Sequence, residues 1–575
     1  MSDLQKLAAK TDSTEFYSPV PENYQKGKTK FIIISGSVMS GVGKGVFTSC
    51  IGTLFTCHGL NISPIKFDGY LNCDAGTLNP YRHGEVFVLD DGTECDLDMG
   101  SYERFLNKNF NKNNYLTAGK IFKTIIDRER EGGYLGRDVQ FIPHVTGEIK
   151  RFLRTLAMQS GADIVLVEVG GTVGDLENSY FLEAMRELRY EEGPNNVCFV
   201  NVTYIIEPKS LGEHKSKAAQ LGLRKLMEMG IQPDVVVCRS TTPISTKIRE
   251  KISIYSNIPV ERVIGLHDAD TVYDIPLNLK KQGVDRIIFD ILKVHHKENG
   301  SELNFEKWED LVNKIKTPKF RVTIGITGKY TNVKDSYLSI LNALEHTAPY
   351  LGMKADVKWI ETTEIDRNNV QEAFEGVDGI IVPGGFGKRG TEGKIECIRY
   401  ARENKIPYFG LCLGFQLAIV EFARNVCGLQ GANSTEMEEN LKHPVIDILP
   451  EQKKIEGLGG NMRLGGKEVE IKNNTLAMKL YGKSLVRERF RHRYECNPEY
   501  IEMLEKNGML FSGKAPKYNI MQIMELPEHP YFLGTQFHPE FTSKPLAPSP
   551  LFMGFLKAIL KQKHAFAEKS SSQTI

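Results

Sequence analysis

The feature that most constrains this chain is a short apolar run that stops at glycine and then recurs. Phe31-Ile-Ile-Ile-Ser35 runs into Gly36. It is continuous rather than alternating, the pattern of a strand covered on both faces in a parallel sheet. Similar runs lie at 60–67, 163–169, 197–206 and 234–238, separated by helical or mixed stretches such as 180–192 and 214–229. This alternation predicts an α/β fold. A charged, glycine-poor stretch at 294–320, carrying one helix around 305–315, interrupts the series. A second series follows, with strands expected at 321–326, 353–359, 379–382, 407–410 and 532–537. At roughly 150 residues per domain, 575 residues suit two to four domains. The expected division is a lead-in at 1–29, an α/β domain at 30–293, a linker at 294–320, a second α/β domain at 321–563 and a disordered tail at 564–575.

Charge and cysteine usage exclude several classes of function. Lys and Arg total 73 against 72 Asp and Glu, a net charge of +1, so no overall field recruits nucleic acid or an anionic membrane. Charged partners must be bound locally. The ten cysteines are scattered without a C-x-x-C pair, which favours free thiols over a zinc site or disulfide frame. The first thirty residues lack a signal-peptide pattern, and no run approaches the roughly 18 apolar residues of a membrane span. The expected location is the cytoplasm.

The sharpest local motif is Pro407-Tyr-Phe-Gly410-Leu-Cys412-Leu-Gly414-Phe-Gln416. A strand ending in Gly-x-Cys-x-Gly can turn sharply into a helix, leaving the nucleophile at the helix N-terminus where the dipole favours thiolate. A thiol nucleophile needs a base and a group to orient it. Gln536-Phe-His538-Pro-Glu540 supplies both, and in an extended segment His538 and Glu540 share a face. The glycine turn Val382-Pro-Gly-Gly385-Phe-Gly387 can aim an N–H at an oxyanion, with Leu413 N–H as the second donor.

In the first half, Gly36-Ser-Val-Met-Ser40-Gly41-Val42-Gly43-Lys44-Gly45-Val46 follows a strand and precedes a helix, the order needed to cradle phosphates. It departs from the strict Walker pattern: Val38 stands where the first glycine belongs, and Gly45 replaces the hydroxyl residue that reaches magnesium. Metal binding should then lean on carboxylates elsewhere. Asp98, in Cys95-Asp-Leu-Asp98, and Glu168, ending Ile164-Val-Leu-Val-Glu168, are the candidates, with Asp96 as the rival to Asp98 because alternation puts both on one face.

The cysteine, histidine and glycine-turn motifs together resemble the class I glutamine amidotransferase domain over about residues 320–560. That resemblance implies a flavodoxin-like fold in which Cys412 attacks the glutamine amide, with His538 and Glu540 completing the catalytic set. It also implies glutamine contacts at Gly385, Leu413, Gly414, Phe415, Gln416, Glu436 and Arg493. Glu436 suits the ammonium of glutamine and Arg493 its carboxylate. The blocks Lys66-Phe-Asp68, His83-Gly-Glu-Val86, Asp96-Leu-Asp98, Glu168-Val-Gly-Gly and Cys238-Arg-Ser, ahead of such a half, are similar to the CTP synthase family over about 30–560. The family implies a P-loop-type parallel sheet that uses ATP and Mg²⁺ to phosphorylate UTP, whose phosphate ammonia then displaces to give CTP. It assigns ATP to residues 41–46 (Gly41, Val42, Gly43, Lys44, Gly45, Val46), Lys66 and Asp98, and the metal to Asp98 and Glu168. UTP, or CTP as inhibitor, falls to Ser40, Asp175, Leu176, Glu177, Lys215, Ser216, Lys217, Ala218, Ala219, Gln220 and Lys251. An ammonia passage is implied at His83 and Val86, GTP activation near 459–465, and homotetramers that can form filaments.

Departures from the family pattern bear on affinity rather than on the proposed catalytic groups. Lys215-Ser-Lys217-Ala-Ala-Gln220 keeps both lysines but lacks the usual proline and a hydroxyl, which predicts a freer loop. Gly69 replaces a proline after Asp68, Ser37 replaces a glycine, and Phe490 replaces a histidine. Two rival readings remain at this level: a cysteine glutaminase with a regulatory nucleotide half, and a filament-forming pseudoenzyme. Retention of Cys412, His538, Lys44, Asp98 and Glu168 argues against the second.

Overall fold

The computed structural model describes residues 19–134, 136–208, 212–294, 303–328, 334–438, 440–448 and 462–572, with backbone alone at 80, 81 and 566–572. The chain divides into two compact units. One comprises residues up to Thr77 and Ser101–Val312; the other comprises Leu78–Gly100 and the chain from Asn313 onward.

The first unit is built on seven strands, β1 (Lys30–Gly36), β2 (Ile62–Asp68), β3 (Tyr115–Thr117), β4 (Ile164–Val169), β5 (Val197–Tyr204), β6 (Val235–Ser240) and β7 (Val263–His267). Their order is β3-β2-β4-β1-β5-β6-β7 and every pairing is parallel. Phe31 to Ile34 are fully buried, as a central strand covered on both faces requires. Chain order reverses around β1, so the crevice at its carboxyl end is where such sheets place ligands. Helix α1 (Lys44–Cys57) departs from there.

Two of the seven strands lie outside the sequence expectation. β3 is three residues long, and β7 is interrupted by Gly265, where a side chain would press within 3.3 Å of Arg249 and Ile244. Helix α2 (Lys217–Glu228) corrects the expectation of a freer loop at 215–220. Residues from Lys217 onward are helical, so alanine, the strongest helix former, stands in a helix's first turn.

The second unit carries a nine-stranded mixed sheet. Five parallel strands, β8 (Phe320–Gly328), β9 (Met353–Glu361), β10 (Gly379–Val382), β11 (Tyr408–Leu411) and β16 (Phe532–Thr535), match the expected positions within a few residues. Between β11 and β16 in the chain come four further strands of this sheet, missed in the sequence: β12 (Arg463–Ile471), β13 (Leu485–His492), β14 (Leu510–Lys514) and β15 (Met521–Glu525). They extend the sheet antiparallel, giving the order β9-β8-β10-β11-β16-β15-β14-β12-β13. Helix α3 (Leu413–Asn425) follows β11, and α4 (Pro550–Ser572) closes the unit.

α4 runs on into the expected tail at 564–575, as far as Ser572. Residues 573–575 lie outside the described ones, as do 1–18 of the expected lead-in and 295–302 of the expected linker.

Residues 78–100 belong to the second unit although they precede most of the first in sequence. Their hairpin, Phe87–Val88 with Glu94–Cys95, meets β13. Asp90 accepts two hydrogen bonds from Arg487 Nε (3.0 and 3.1 Å) and one from Nη2 (2.8 Å). Arg489 Nη1 donates to Val88 O (3.1 Å), and Arg491 Nε pairs with Glu94 (2.7 Å). Among the described residues no helix is long and apolar enough to cross a membrane, and all ten cysteines are free.

Candidate active site

In the second unit Cys412 occupies the junction between β11 and α3 with φ 52° and ψ −97°. A non-glycine residue there is strained, a state that persists only where the surroundings enforce it. The flanking glycines explain the enforcement. A Cβ at Gly414 would collide with the Val382 carbonyl oxygen, and one at Gly410 would lie 2.8 Å from the carbonyl carbon of Gly414. Strand and helix therefore approach more closely than any side chain allows, and Cys412 N–H is anchored on Thr535 O (2.7 Å). The thiol is buried; its sulfur lies 3.7 Å from Arg491 O as donor and 3.7 Å from Gln536 Nε2 as acceptor.

His538 and Glu540 meet, but not along an extended segment. Pro539–Thr542 forms a short helix capped by His538, and His538 Nδ1 bonds Glu540 Oε1 across that turn at 2.7 Å. The imidazole stacks on Phe541 at 4.8 Å and 15°, while its backbone N–H donates to Arg489 O (2.8 Å). Burial opposes the imidazolium, yet the negative charges of Glu540 and Cys412 and the hydrogen bond to Glu540 outweigh it, raising the His538 pKa to about 10. A Cβ on Gly384 would lie 2.9 Å from His538 Cε1 and 3.5 Å from Cys412 Cβ, which brings the glycine turn, base and thiol into one place. Among the described residues, the N–H groups of Gly385 and Leu413 have no backbone acceptor, and Leu413 is the first residue of α3.

Of the other expected glutamine contacts, Gln416 is tied to Gln536, a neighbour of the thiol. Gln416 Nε2 donates to Tyr494 O (2.9 Å) and to Gln536 Oε1 (3.2 Å). Glu436 Oε1 accepts from Gly387 N–H (2.8 Å), so it lies on the glycine turn. Gly414 and Phe415 are buried in the first turn of α3, and Arg493 follows β13, partly exposed. Sequence reasoning missed Gln536 and Phe541, although both flank the quoted His-x-Glu motif.

In the first unit the glycine loop joins β1 to α1. Gly41 and Gly43 take φ of 70° and 96°, and Val38 takes φ 80°, a left-handed conformation that is a genuine outlier for a β-branched residue. The backbone at 38 thus keeps a glycine-like path without glycine. Lys44 lies over Gly36, whose Cβ would sit 2.9 Å from Lys44 Nζ, and donates to Gly171 O (2.6 Å). Lys66 Nζ pairs with the buried Glu168 at 2.7 Å, and Tyr102 donates to the second Glu168 oxygen.

Glu168 is therefore a buried, hard oxygen donor at a strand end beside a phosphate-type loop. That fits Mg²⁺, which takes one or two protein carboxylates and completes its shell with phosphates and water. Asp98 does not alternate with Asp96 along a strand. It opens the helix Asp98–Leu106, with its N–H on Asp96 Oδ1 (2.9 Å), and lies in the 78–100 segment of the second unit. His83 and Val86 lie in the same segment, His83 exposed and Val86 partly so.

The basic residues expected to hold triphosphate converge. Lys215, Ser216, Lys217, Gln220 and Lys251 line one pocket of about 640 Å³, joined by Lys247 and Tyr255, which sequence reasoning did not name. Lys247 and Lys251 are four apart on the helix Thr246–Ser256, a spacing that could have flagged the pair. Ala218 and Ala219 follow in α2 without lining the pocket, and neither do Ser40, Asp175, Leu176 and Glu177. Asp175 caps its own loop by accepting from Thr172 N–H (2.6 Å), and Leu176 is 82% exposed. Gly69 has a steric reason: a Cβ there would lie 2.6 Å from Asn178 Oδ1. Residues 459–461 of the expected GTP region lie outside the described ones.

Elbow thiol, buried His–Glu pair and glycine turn on one α/β unit, in a chain whose other unit carries a phosphate-type loop, define a glutamine amidotransferase joined to a nucleotide-handling synthetase half. Residues 30–294 match the family model described as CTP synthase N-terminus, and 332–558 match that of glutamine amidotransferase class-I. The chain is 50% identical to the CTP synthase of Thermococcus gammatolerans over 93% of its length and 99% of that protein. It is 49% identical to the CTP synthase of Archaeoglobus fulgidus over 93% and 99%, and 47% identical to that of Methanocaldococcus jannaschii over the same shares. The chain belongs to the CTP synthase family, and it is a glutamine-hydrolysing ligase that makes CTP.

Proposed function

We propose that Cys412, His538 and Glu540 release ammonia from glutamine and that the first unit uses it, with ATP, to convert UTP to CTP. The observation that carries the glutaminase roles is Cys412 held at φ 52° beside a His538 that is hydrogen-bonded to Glu540. Cys412 attacks the glutamine side-chain carbonyl, and the tetrahedral oxyanion is received by the N–H groups of Leu413 and Gly385. His538, oriented by Glu540, gives a proton to the departing ammonia and then takes one from the water that hydrolyses the thioester. Glu436 and Arg493 hold the two charges of the glutamine backbone.

In the synthetase half, phosphorylating the uracil O4 turns a poor leaving group into a good one. Residues 41–46 and Lys44 hold the ATP phosphates, and Lys66 meets the transferring group. Glu168 and Asp98 would hold Mg²⁺, which when bound offsets phosphate charge. The lysine pocket of Lys215, Lys217, Lys247 and Lys251 holds the triphosphate of UTP or of inhibitory CTP, with Ser40, Asp175, Leu176 and Glu177 as further contacts. His83 and Val86 belong to an ammonia passage that keeps ammonia from protonation in bulk water. GTP activation, tetramers, filaments and a cytoplasmic location follow from the family resemblance.

The test is chromatographic detection of CTP from UTP, ATP and Mg²⁺, supplied either with glutamine plus GTP or with ammonium salt. Cys412→Ala should abolish synthesis from glutamine and retain synthesis from ammonia. Loss of both in a folded variant would refute the division of labour.

A further inference from the structure

Several buried carboxyls take no part in the glutaminase roles, and one of them touches the turn that carries Glu540. Glu488, on β13, is 5% exposed. Its Oε1 accepts from the Tyr481 hydroxyl (2.7 Å), and its Oε2 lies 2.9 Å from Thr542 Oγ1. Thr542 ends the short helix Pro539–Thr542 that carries Glu540 and is capped by His538. We propose that Glu488 is a positioning residue of the glutaminase site, gripping through Thr542 the turn that holds Glu540 against His538. The inference deepens the glutaminase reading and rests on it.

A count of protons sharpens the argument. Thr542 Oγ1 has two acceptors in reach, Glu488 Oε2 at 2.9 Å and Pro539 O at 3.2 Å, but a hydroxyl has one proton to donate. Both contacts become full hydrogen bonds when Glu488 carries a proton and donates to Thr542, which passes its own to Pro539 O. An ionised Glu488 accepts the single hydrogen bond that Thr542 can donate and leaves Pro539 O, the first carbonyl of the turn, without it.

The surroundings bring the two forms of Glu488 into balance near neutrality. Burial raises the Glu488 pKa to about 7, against the lowering effects of Tyr481, Thr542 and Arg489 and with a smaller raising effect from Glu540. These are the groups that face it: Tyr481 from the helix Leu476–Tyr481, Thr542 and Glu540 from the turn, Arg489 from its own strand. Tyr481 is partly buried, and desolvation together with the charge of Glu488 raises its hydroxyl well above the ordinary value, so it remains a donor. Ionising Glu488 therefore both loosens the turn and adds a second negative charge beside Glu540.

The experiment uses the full chain and compares glutamate release from glutamine with CTP formation from ammonium salt, across roughly pH 6 to 9. Glu488→Gln supplies an amide that accepts from Tyr481 and donates to Thr542 at every pH. It should remain active, and its rate relative to the unmodified chain should climb as pH rises through about 7. Glu488→Leu, and independently Thr542→Val, should lower glutamate release about tenfold or more, chiefly in kcat, with ammonia-supported synthesis retained. A pH-independent Gln variant ratio, an undiminished rate in both Leu and Val variants, or equal loss from ammonia would overturn the proposal. Absence of glutamate release from the unmodified chain would overturn the glutaminase reading and this inference with it.

Discussion

Replacing Gly384 by alanine puts the close packing of the thiol and its base to a direct test. The new methyl would stand 2.9 Å from His538 Cε1, below the 3.0 Å that real Cβ atoms respect, and 3.5 Å from Cys412 Cβ. Restoring ordinary contact needs a shift of roughly half an ångström or more. His538 cannot give way freely, because Glu540 holds one side of the ring at 2.7 Å and Phe541 stacks on its face. Misplacement by about 1 Å costs about a hundredfold in rate, so half of that should cost about tenfold, or about 1.4 kcal/mol of activation free energy. Gly385→Ala provides the contrast: its methyl meets only Leu413 Cδ2, at 3.6 Å, and the N–H at 385 remains. Glutamate release measured at saturating glutamine should therefore fall much further for position 384 than for 385, with ammonia-supported CTP formation retained in both. Equal losses at the two positions, or none at 384, would refute the steric reasoning.

Three further outcomes follow from the same geometry. Lys44→Ala should abolish CTP formation from glutamine and from ammonia alike, since the loop serves the synthetase half; survival of the ammonia reaction would remove Lys44 from the phosphate site. Lys247→Ala should raise the KM for UTP about tenfold with little change in kcat, read from initial rates with ammonium salt, and an unchanged KM would exclude the lysine pocket as the triphosphate site. The folded pKa of His538, about 10, exceeds its ordinary 6.5. Its protonated form therefore stabilises the fold fully below about pH 6.5, and this is lost as pH rises toward 10. Thermal midpoints across that window should fall for the unmodified chain and flatten for Glu540→Gln, whereas parallel curves would contradict the assigned pairing.

How much was legible in the sequence depended on where each residue's role was decided. Parallel strands such as Phe31–Ile34 advertise themselves because both faces are buried, whereas Leu485–His492 reads as charged because Arg487, Arg489 and Arg491 meet partners from the distant 78–100 segment. Cys412 was legible because Gly410 and Gly414 are steric necessities written into the local text. The His538–Glu540 pair was recognised for a different reason from the one the structure supplies, since proline at 539 starts a helix rather than continuing a strand. Glu488 gave no local sign; its meaning lies in two hydroxyls, 7 residues before it and 54 after.

The assignment of Leu78–Gly100 to the second unit has a consequence for biosynthesis. A nascent chain exposes this hairpin nearly four hundred residues before the ribosome delivers β13, whose arginines complete it. Domains commonly fold as units during synthesis, N-terminal first, but here the early segment must wait unpaired until its late partner arrives. The first unit can assemble around the excursion, closing Thr77 to Ser101 over an open loop. A fragment begun at residue 313 would in turn leave Arg487 and Arg491 without Asp90 and Glu94.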